Sequence, residues 1–554
     1  MDEYKLLKYP IPKPENIILT PSADICYLGS DYDFYYKTYK GLYGYNEGEE
    51  DAVFFVDWSN SDIYCDALTI KLFISPETIL ALTSDLFSTM VDGSNITLLT
   101  KIPDDEVEPK VLITLAYTDH PNTFIWVPNT FTMLMQAAYR FNQTNGKYRI
   151  VFKDYWQYAT TPKDRERPIE RLHLDIAKGE IPDMMIIDIN LKIRNYTSKN
   201  MFVDLYEFLD NDPDLSRNDI LGCVRSSHEI NGKLYHLPLN FWVYTLIGKS
   251  SNVGENPYWN LNDMFQMYNN LPDDTTLIAG AQLTVFDGQT FGRSFLEDVL
   301  NSTISDFIDY EKGTCAFTSD EFINLLKFAK GYSIEHKYAD VNNGSTNMAT
   351  LEAIHNNRIY LTQFKFRYMY QYIVLKYLFG EDIVFKGFPT KSGNRSLLNK
   401  DFSIGITRTS PVKEGMWQFM KYLLSDEIQN SELNNRLGLP VKVSSLKKSL
   451  DTAQDLYYFK LDDVWRYSEV RKYGDSPEWY SKNSVGWDEF WFTQADADNV
   501  FNFLNNIEIR DNSDETVFNI IQEEVDIFWA GQITAEQCAA YIQNRVYIYV
   551  NEQK

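Results

Sequence analysis

Three apolar runs, separated by two helical segments, constrain the fold of this 554-residue chain more than any other feature. The run VLITLAY (111–117) is continuously apolar and MMIIDI (184–189) is largely so, which is typical of strands buried on both faces, and YRIVFKDY (148–155) is a further predicted strand. Between them lie segments with apolar residues at helical spacing, which end at Asn145-Gly and at Gly179. Strand, helix, strand, helix, strand predicts βαβ units and a parallel sheet with right-handed crossovers. The predicted fold class is therefore α/β.

The first 109 residues predict a separate, β-rich segment. Strand-type runs between residues 16 and 101 are divided by turn clusters such as Gly48-Glu-Glu-Asp and Asp92-Gly-Ser-Asn, and no helical period competes. A polar linker, IPDDEVEPK (102–110), ends the segment. Two β-meander units are too few to close a barrel or a propeller. We therefore expect either the last part of a larger repeat array or a small all-β module that packs on the following domain.

The charge balance is strongly acidic, with 78 Asp and Glu against 52 Lys and Arg and a net charge of −26. Nucleic acids and anionic membrane surfaces recruit Lys and Arg, so neither is an expected partner. A hydrophobic content of 44% indicates a globular chain. Aromatic residues reach 15%, and this excess leaves room for an aromatic-lined ligand cleft beside a well-filled core.

Cysteine and histidine usage predicts no metal site. The five cysteines are far apart and form no C-x-x-C pair, and the six histidines show no metal-ligand spacing, so we expect no metal and no cofactor. No apolar run reaches the ~18 residues of a membrane-spanning helix. The start, MDEYKLLKYPIPKPEN, lacks the regions of a signal peptide, so the protein is either cytoplasmic or has had a signal segment removed.

Several further sequence motifs follow one another along the chain. NGKLYHLPLNFWVYTLIGKS (231–250) is a strand-like run broken at Pro238, which cannot donate to a sheet. GFPTKSGN and FSIGIT precede a predicted long amphipathic helix over 413–433, and a helical pair is predicted over 515–531 and 533–552. Together with KVLITLAY and KGEIPDMMIIDINL, this series resembles the extracellular solute-binding proteins of bacterial ABC transporters, in the group that captures sugars and oligosaccharides.

The resemblance implies a two-lobe, periplasmic-binding-protein-like fold of the Venus-flytrap type, preceded by a small all-β segment. The β-rich segment is 1–109, and it looks like the end of a β-propeller that precedes this module in some relatives. The solute-binding module is 110–554. Its expected lobes cover about 110–239 and 390–440 for lobe 1, and about 240–389 and 441–554 for lobe 2.

The function implied by the resemblance is that of the substrate-binding component of an ABC importer. Such a protein captures a carbohydrate, here expected to be an oligosaccharide, in an inter-lobe cleft by hinge closure. It then delivers the ligand to the permease subunits of the transporter. The resemblance further implies a secreted, lipid-anchored mature form, and we expect a monomer that is not an enzyme.

Candidate ligand-binding residues follow from their positions at strand ends, where open α/β sheets bind ligands. Tyr117 and Asp119 end the first strand, with Asn122 beyond them, and an ordinary exposed loop is the alternative. Asp188 ends the third strand, with Asn190 beyond it, and for Asp188 a helix N-cap is the alternative.

The crossing segment and a later strand supply the remaining candidates. Asn240 and Trp242 follow the break at Pro238, and core packing is the alternative for the indole. Phe364 and Lys365 end the strand IYLTQF, with Arg367 close behind. An aromatic region, EWYSKNSVGWDEFWF, holds three of four nearby tryptophans. At least one of the four should face the cleft, and Trp487 is favoured over Trp465, Trp479 and Trp491 because Gly486 loosens its neighbourhood. Arg395, in the turn-rich segment before IGIT, is better explained as a solvated charge.

Two other functional classes remain open. A glycan-active hydrolase needs only a pair of carboxylates, but the adjacent pairs Glu523-Glu524 and Asp104-Asp105 are better explained by a helix surface and a linker. Motifs of nucleophilic, nucleotide-binding and zinc-dependent enzymes are absent. A surface sensor or adhesin would use the same cleft and differ only in its partner.

Overall fold

The computed structural model describes residues 26–27, 31–38, 41–49, 51–58, 61–63, 68–75, 77–84, 94–103, 109–119, 130–161, 164–188, 191, 193–280, 291–310, 312–335, 353–391, 396–398, 402–454, 456–461, 466–471, 489–507 and 514–552. The chain divides into two compact units. Unit 1 is Met1–Arg217, Lys233–Asn240 and Lys400–Lys442, and unit 2 is Asn218–Gly232, Phe241–Asn399 and Val443–Lys554. The predicted lobe boundaries stay a prediction, and they differ from this division chiefly in separating 1–109 and in assigning 218–232 to lobe 1.

The strands, in chain order, are β1 (Cys26–Tyr27), β2 (Phe34–Lys37), β3 (Gly41–Tyr45), β4 (Val53–Asp57), β5 (Leu68–Ser75), β6 (Thr78–Ser84), β7 (Ser94–Thr100), β8 (Val111–Tyr117), β9 (Tyr148–Asp154), β10 (Met184–Asp188), β11 (Glu229–Ile230), β12 (Lys233–Leu234), β13 (His236–Leu237), β14 (Asn240–Phe241), β15 (Val243–Lys249), β16 (Thr276–Gly280), β17 (Ile308–Asp309), β18 (Thr314–Cys315), β19 (Ile359–Phe366), β20 (Ile383–Phe385), β21 (Leu397–Leu398), β22 (Phe402–Ile406), β23 (Leu439–Pro440), β24 (Leu456–Leu461), β25 (Arg466–Arg471) and β26 (Glu489–Trp491).

The α-helices are α1 (Thr130–Thr144), α2 (Glu166–Ala177), α3 (Ile193–Thr197), α4 (Tyr206–Leu209), α5 (Gly222–His228), α6 (Ser250–Val253), α7 (Leu261–Asn269), α8 (Phe291–Thr303), α9 (Asp320–Glu335), α10 (Met369–Phe379), α11 (Lys413–Leu423), α12 (Asp426–Gln429), α13 (Glu432–Leu437), α14 (Val443–Ala453), α15 (Gln494–Asn506), α16 (Glu515–Trp529) and α17 (Ala535–Glu552). Short 3-10 helices cover Trp156–Tyr158, Arg217–Asp219 and Ile304–Asp306. Within the described ranges, no helix is both long and apolar enough to cross a bilayer.

In its described residues, the N-terminal segment is all-β, as predicted. Strands β1 to β4 form one antiparallel sheet, and β5 to β7 form a second. A shared aromatic core joins them: Tyr35 stacks on Phe73 with ring centroids 4.0 Å apart, and Trp58 is buried beside them. Leu42 of β3, Leu68 and Ile70 of β5, and Ile79 and Ala81 of β6 belong to the same core, so the two sheets share one apolar cluster. The relation to a β-propeller stays a prediction.

Asp62 attaches this β segment to the α/β part of unit 1. It lies in the turn after β4 with a left-handed backbone (φ 53°), a conformation that Asp tolerates better than most residues. Its Oδ1 accepts a hydrogen bond from Asn142 Nδ2 at 2.7 Å and lies 3.2 Å from Arg149 Nη2. Its backbone carbonyl accepts from Gln143 Nε2 at 3.1 Å. One turn therefore contacts both α1 and β9.

We expect Asp62→Ala to destabilise the protein by about 1–3 kcal/mol, because the substitution leaves part-buried donors on Asn142 and Arg149 without this acceptor. Asp62→Asn keeps an acceptor in place and should cost less. Urea denaturation measures both effects. Asp51→Ala, at an exposed position of the same segment, is the matched control. A loss for Asp62→Ala no larger than that of the control would contradict this attachment.

The main sheet of unit 1 has the order β13-β22-β10-β8-β9. Strands β8, β9 and β10 are parallel, with Ile113 level with Ile150 and Met184 level with Leu115, as the three apolar runs predict. Strand β22 runs antiparallel to both β10 and β13, so β13 points the same way as β10. The carboxyl ends of β8, β9, β10 and β13 therefore lie at one edge of the sheet.

The main sheet of unit 2 has the order β16-β19-β15-β20, and β21 pairs with β15. Strands β16 and β19 pair in parallel, while β15 runs antiparallel to β19, β20 and β21. The predicted helical pair at the end of the chain is confirmed as α16 and α17, with Gly531 at φ 75° in the turn between them. Both helices contribute to the unit 2 core, for example through Val525 and Ile542.

One prediction of local structure was wrong. The single long helix expected over 413–433 is divided into α11, α12 and part of α13. Ser425 and Ser431 adopt extended backbones before α12 and α13, and the Ser431 side chain accepts from Asn434 N, so each serine begins a new helix. Between α14 and α15 the chain also forms the three-stranded sheet β25-β24-β26.

The segment 231–250 forms several short strands, with more interruptions than Pro238 alone predicts. Asn231 and Gly232 both have positive φ (54° and 74°) and form the turn between β11 and β12. Pro238 lies between β13 and β14, and Trp242 lies between β14 and β15. The division between unit 1 and unit 2 falls directly after Asn240. The break in the strand thus coincides with a passage of the chain from one unit to the other.

Candidate functional site

In unit 1, the strand-end edge is occupied by an ion pair that covers an aromatic ring. Asp119, two residues beyond β8, lies 2.8 Å from Arg165 Nη1, and both side chains are about one-third exposed (33% and 32%). The Arg165 guanidinium lies 4.9 Å from the ring centroid of buried Trp156, which follows β9. Sequence reasoning found Asp119 but missed Arg165 and Trp156, although Trp156 follows a predicted strand end directly.

Asp188, at the end of β10, shapes the turn that follows. Its Oδ2 accepts from Thr118 Oγ1 at 3.0 Å, and its Oδ1 accepts from Leu191 N at 3.1 Å. Burial, and then the charge of Asp188, raise the pKa of Tyr196 to about 12. The side chain is buried, and α3 begins only at Ile193, so Asp188 stabilises a turn rather than capping a helix. A direct ligand contact by Asp188 stays a prediction.

Asn240 belongs to a buried amide network in unit 1. Its Nδ2 donates to Asn434 Oδ1 at 3.2 Å, and Asn434 Nδ2 donates to the Gln429 carbonyl at 3.1 Å. All three side chains are buried. Because buried amides are costly to leave without partners, this network fixes the backbone directly before the passage into unit 2.

In unit 2, the corresponding strand ends bring together an indole and an ammonium group. Trp242 precedes β15 and is partly buried, and Lys365 Nζ lies 3.9 Å from its ring centroid. Strand register pairs Lys365 with Tyr244, whose ring meets that of Trp242 edge-on at 6.4 Å. Two of the predicted site residues, Trp242 and Lys365, are therefore in direct contact, an arrangement stabilised by cation–π attraction.

A polar cluster lies on the same side of the unit 2 sheet as Tyr244. Gln363, two residues before Lys365, donates from Nε2 to Asp298 Oδ2 at 3.0 Å. Burial, and then the neighbouring Glu297, raise the pKa of Asp298 to about 8, so its carboxyl is mostly protonated at neutral pH. Burial, and then Asp298, also raise the pKa of Tyr244. Sequence reasoning missed Gln363 and Asp298, because only the fold brings α8 to β19.

We expect Asp298→Asn to reduce the pH dependence of stability. The folded-state pKa lies above the unfolded value of 3.8, so the carboxyl contributes stability below about pH 4 that is lost as the pH rises through about 8. Asparagine resembles the protonated form and does not titrate. Urea denaturation at several pH values between 4 and 8 should show a shallower decline for Asp298→Asn than for the parent. Equal slopes for Asp298→Asn and the exposed control Asp273→Asn would contradict this assignment.

Two predicted contacts lie in the cores of their units instead. Tyr117 is 6% exposed and packs edge-on against Phe131 at 4.8 Å. Phe364 is 2% exposed and stacks on Phe366 at 5.1 Å. Both occupy strand positions whose side chains face inward, so their burial favours core packing over ligand contact.

The remaining candidates give little further information. Arg367 is partly buried, with its guanidinium 5.2 Å from the Tyr368 ring centroid. Trp491 is the last residue of β26. The following candidates lie outside the described residues: Trp487, Asn122, Asn190, Arg395, Trp465 and Trp479.

The unit 2 cluster, which we define as Trp242, Tyr244, Asp298, Gln363 and Lys365, has the chemistry of a polyol-binding site. It combines a partly exposed indole with an amide, a phenol, a protonated carboxyl and an ammonium group. Such a set offers an apolar platform together with donors and acceptors for hydroxyl groups. In the described part of the chain, no three His, Cys, Asp or Glu side chains are close enough to hold a metal ion.

Known proteins match this chain by structure and not by sequence. No protein-family model and no curated protein sequence matches. An ABC substrate-binding protein from Listeria monocytogenes, in complex with cycloalternan, is 13% identical with a TM-score of 0.45, over 80% of this chain and 100% of that one. An extracellular solute-binding protein family 1 member from Alicyclobacillus acidocaldarius is 12% identical with a TM-score of 0.46, over 80% and 100%. A sugar-binding protein from Xanthomonas citri is 12% identical with a TM-score of 0.48, over 80% and 98%. All three are binding proteins, the class that the sequence resembles. Their identities and TM-scores are too low to identify a ligand for this chain.

Proposed function

We propose that this protein is a carbohydrate-binding protein that captures its ligand without chemically changing it. The observation that carries the proposal is the unit 2 cluster, in which a partly exposed indole lies beside amide, phenol, ammonium and carboxyl groups. Sugar rings present an apolar face that packs on indole, and their hydroxyls are both donors and acceptors. The cluster supplies partners for each of these features.

The positions of the cluster residues support the same role. Trp242 directly precedes β15, and Lys365 is the penultimate residue of β19, so both lie near the carboxyl end of β19, the kind of sheet edge where open sheets bind ligands. The buried amide pair Asn240–Asn434 fixes the backbone two residues before the indole. A site held by strands and buried hydrogen bonds keeps its geometry before the ligand arrives, which reduces the entropy lost on binding.

The finer parts of the proposal rest on the sequence resemblance. We infer that the protein serves an ABC importer, that it delivers its ligand to permease subunits, and that it acts as a monomer. An extracellular, lipid-anchored form of the protein belongs to the same inference. Hinge closure, which the resemblance also implies, stays a prediction. The catalytic alternative, a glycan hydrolase, makes the opposite prediction for the fate of the ligand.

A thermal-shift screen of the full chain tests the proposed function. The panel should contain neutral and acidic mono- and oligosaccharides, with amino acids and short peptides as controls for other ligand classes. At least one saccharide should raise the melting temperature in a concentration-dependent way, because a ligand that binds only the folded state stabilises it. A panel in which only peptides or amino acids raise the melting temperature would contradict carbohydrate binding.

A further inference from the structure

Three side chains of the unit 2 cluster each keep one polar atom without a hydrogen bond in the described part of the chain. Gln363 Nε2 donates to Asp298 Oδ2 at 3.0 Å, but no hydrogen bond engages Gln363 Oε1, Asp298 Oδ1 or Tyr244 Oη. Gln363 is 7% exposed, while Asp298 and Tyr244 are partly exposed. Polar atoms in recessed positions are normally hydrogen-bonded, so the partners of these three should be solvent or a bound ligand.

The strand register brings the three side chains to one face of the unit 2 sheet. Residues directly opposite each other in an antiparallel pair point to the same face. Gln363 is opposite Leu246, and Leu246 lies two residues from Tyr244 along β15, so Gln363 and Tyr244 share a face. Helix α8 places Asp298 against Gln363 on this face. The Tyr244 ring in turn meets the Trp242 ring edge-on at 6.4 Å, so the polar side chains extend from the indole.

The protonation of Asp298 decides what its outward oxygen can do. Burial, and then Glu297, raise the pKa of this carboxyl to about 8, so it is mostly protonated at pH 7. Because Oδ2 accepts from Gln363 Nε2, the proton lies on Oδ1. Asp298 Oδ1 is then a donor, Gln363 Oε1 is an acceptor, and Tyr244 Oη can be either. This set of uncharged groups complements the hydroxyls and ring oxygens of a sugar.

The charged groups around Asp298 come from its own helix and from the elements near it. On α8, Glu297 raises the pKa of Asp298 and is itself paired with Arg293 at 3.5 Å, and Arg293 also contacts Asp526 of α16. The sheet and the elements packed on α8 contribute the following titratable groups: Tyr244 of β15, Lys365 of β19, Asp306 of the 3-10 helix after α8, and Asp320, Glu321, Lys327 and Lys330 of α9.

We propose that Asp298 contacts the saccharide directly, donating a hydrogen bond from Oδ1 to an oxygen of the sugar while Gln363 Oε1 accepts from a neighbouring hydroxyl. This inference rests on the proposed function and narrows its ligand class to saccharides that present an uncharged donor and acceptor at this position. Ionisation of Asp298 would remove the donor. A bound sugar also displaces water from the recessed carboxyl, which disfavours its charged form. Capture should therefore weaken as Asp298 loses its proton.

The dependence of affinity on pH tests this contact. Isothermal titration of the full chain between pH 6 and 9 should use glucose, cellobiose, maltotriose and raffinose, which carry no group that titrates in this range. If only the protonated form supplies the donor, the apparent affinity scales with its fraction. With a pKa of about 8, the affinity should change little from pH 6 to 7 and fall about tenfold from pH 7 to 9. Melting temperatures at each pH establish that the protein stays folded.

Variants of Asp298 separate a ligand contact from a purely structural bond to Gln363. Asp298→Asn can accept from Gln363 and donate from its amide, and it does not titrate, so its affinity should stay close to that of the parent at pH 7 and be constant up to pH 9. Asp298→Leu removes both groups and should bind about tenfold or more weakly at pH 7. The control Asp273→Asn, at an exposed position of unit 2, should keep the pH dependence of the parent.

The outcomes separate this inference from the proposed function. An affinity of the parent that does not fall between pH 7 and 9, or a fall of the same size in folded Asp298→Asn, would overturn the contact through Asp298. Binding of acidic saccharides alone would overturn the selection of uncharged groups and leave carbohydrate binding intact. Absence of binding by every saccharide, acidic or neutral, would instead overturn the proposed function.

Discussion

Replacing Trp242 by alanine should weaken carbohydrate binding about 30-fold or more, while the protein stays folded. Aromatic side chains at the centre of a binding site typically contribute at least about 2 kcal/mol, and a tenfold change in affinity corresponds to about 1.4 kcal/mol. The substitution removes the partly buried indole and also the surface over which Lys365 lies. Isothermal titration with the saccharide identified by thermal shift measures the loss.

A second aromatic position provides the control for Trp242→Ala. Tyr258 also lies in unit 2 and is 58% exposed, so Tyr258→Ala removes an aromatic ring outside the unit 2 cluster. Its affinity should match that of the parent protein. An unchanged affinity in folded Trp242→Ala would assign the indole to packing rather than to ligand contact.

The substitution Gln429→Ala should cause the largest loss of stability, roughly 3–4 kcal/mol, because each buried group left without a partner costs about 1–3 kcal/mol. Gln429 is fully buried, and its Nε2 donates to the carbonyls of Leu239 and Leu423, each at 3.0 Å. Its Oε1 accepts from Val441 N at 3.0 Å. One side chain therefore joins the segments before β14 and after β23. Urea denaturation measures the effect.

Two comparisons make the Gln429 prediction specific. Gln429→Glu keeps the shape and one acceptor but removes the donor and introduces a buried acid, so it should also be strongly destabilising. Gln266→Ala changes an exposed helical glutamine on α7 and should stay within about 0.5 kcal/mol of the parent. A cost for Gln429→Ala as small as that of Gln266→Ala would contradict the importance of this buried network.

The parts of the fold that sequence predicts well are those specified by local patterns. The runs at 111–117, 148–155 and 184–189 form parallel pairs, because strands that alternate with helices are typical of βαβ units. The terminal pair α16 and α17 follows from helical periodicity and the turn at Gly531. The helix expected over 413–433 is interrupted by extended backbone at Ser425 and again at Ser431, and the Ser431 side chain caps the helix that follows it.

The candidate site is predicted only in part, because its contacts join distant segments. The sequence pattern predicts that Trp242 and Lys365 lie at strand ends, and the pairing of β15 with β19 brings the two side chains together. The hydrogen bond between the Asn240 and Asn434 side chains joins residues 194 positions apart, and no local sequence pattern predicts such a pair. Asp298 occupies an ordinary helical position, and its pKa is raised chiefly because the tertiary fold buries it.

The most direct test of the account is the fate of the bound saccharide. The full chain should be incubated with the saccharide that gives the largest thermal shift, separated from free ligand, and denatured, and the released sugar should be analysed by chromatography and mass spectrometry. The account predicts recovery of the intact saccharide at one molecule per chain, with the yield reduced in Trp242→Ala. Release of shortened or hydrolysed sugar would contradict a binding protein, and absence of any co-purified saccharide would contradict carbohydrate capture.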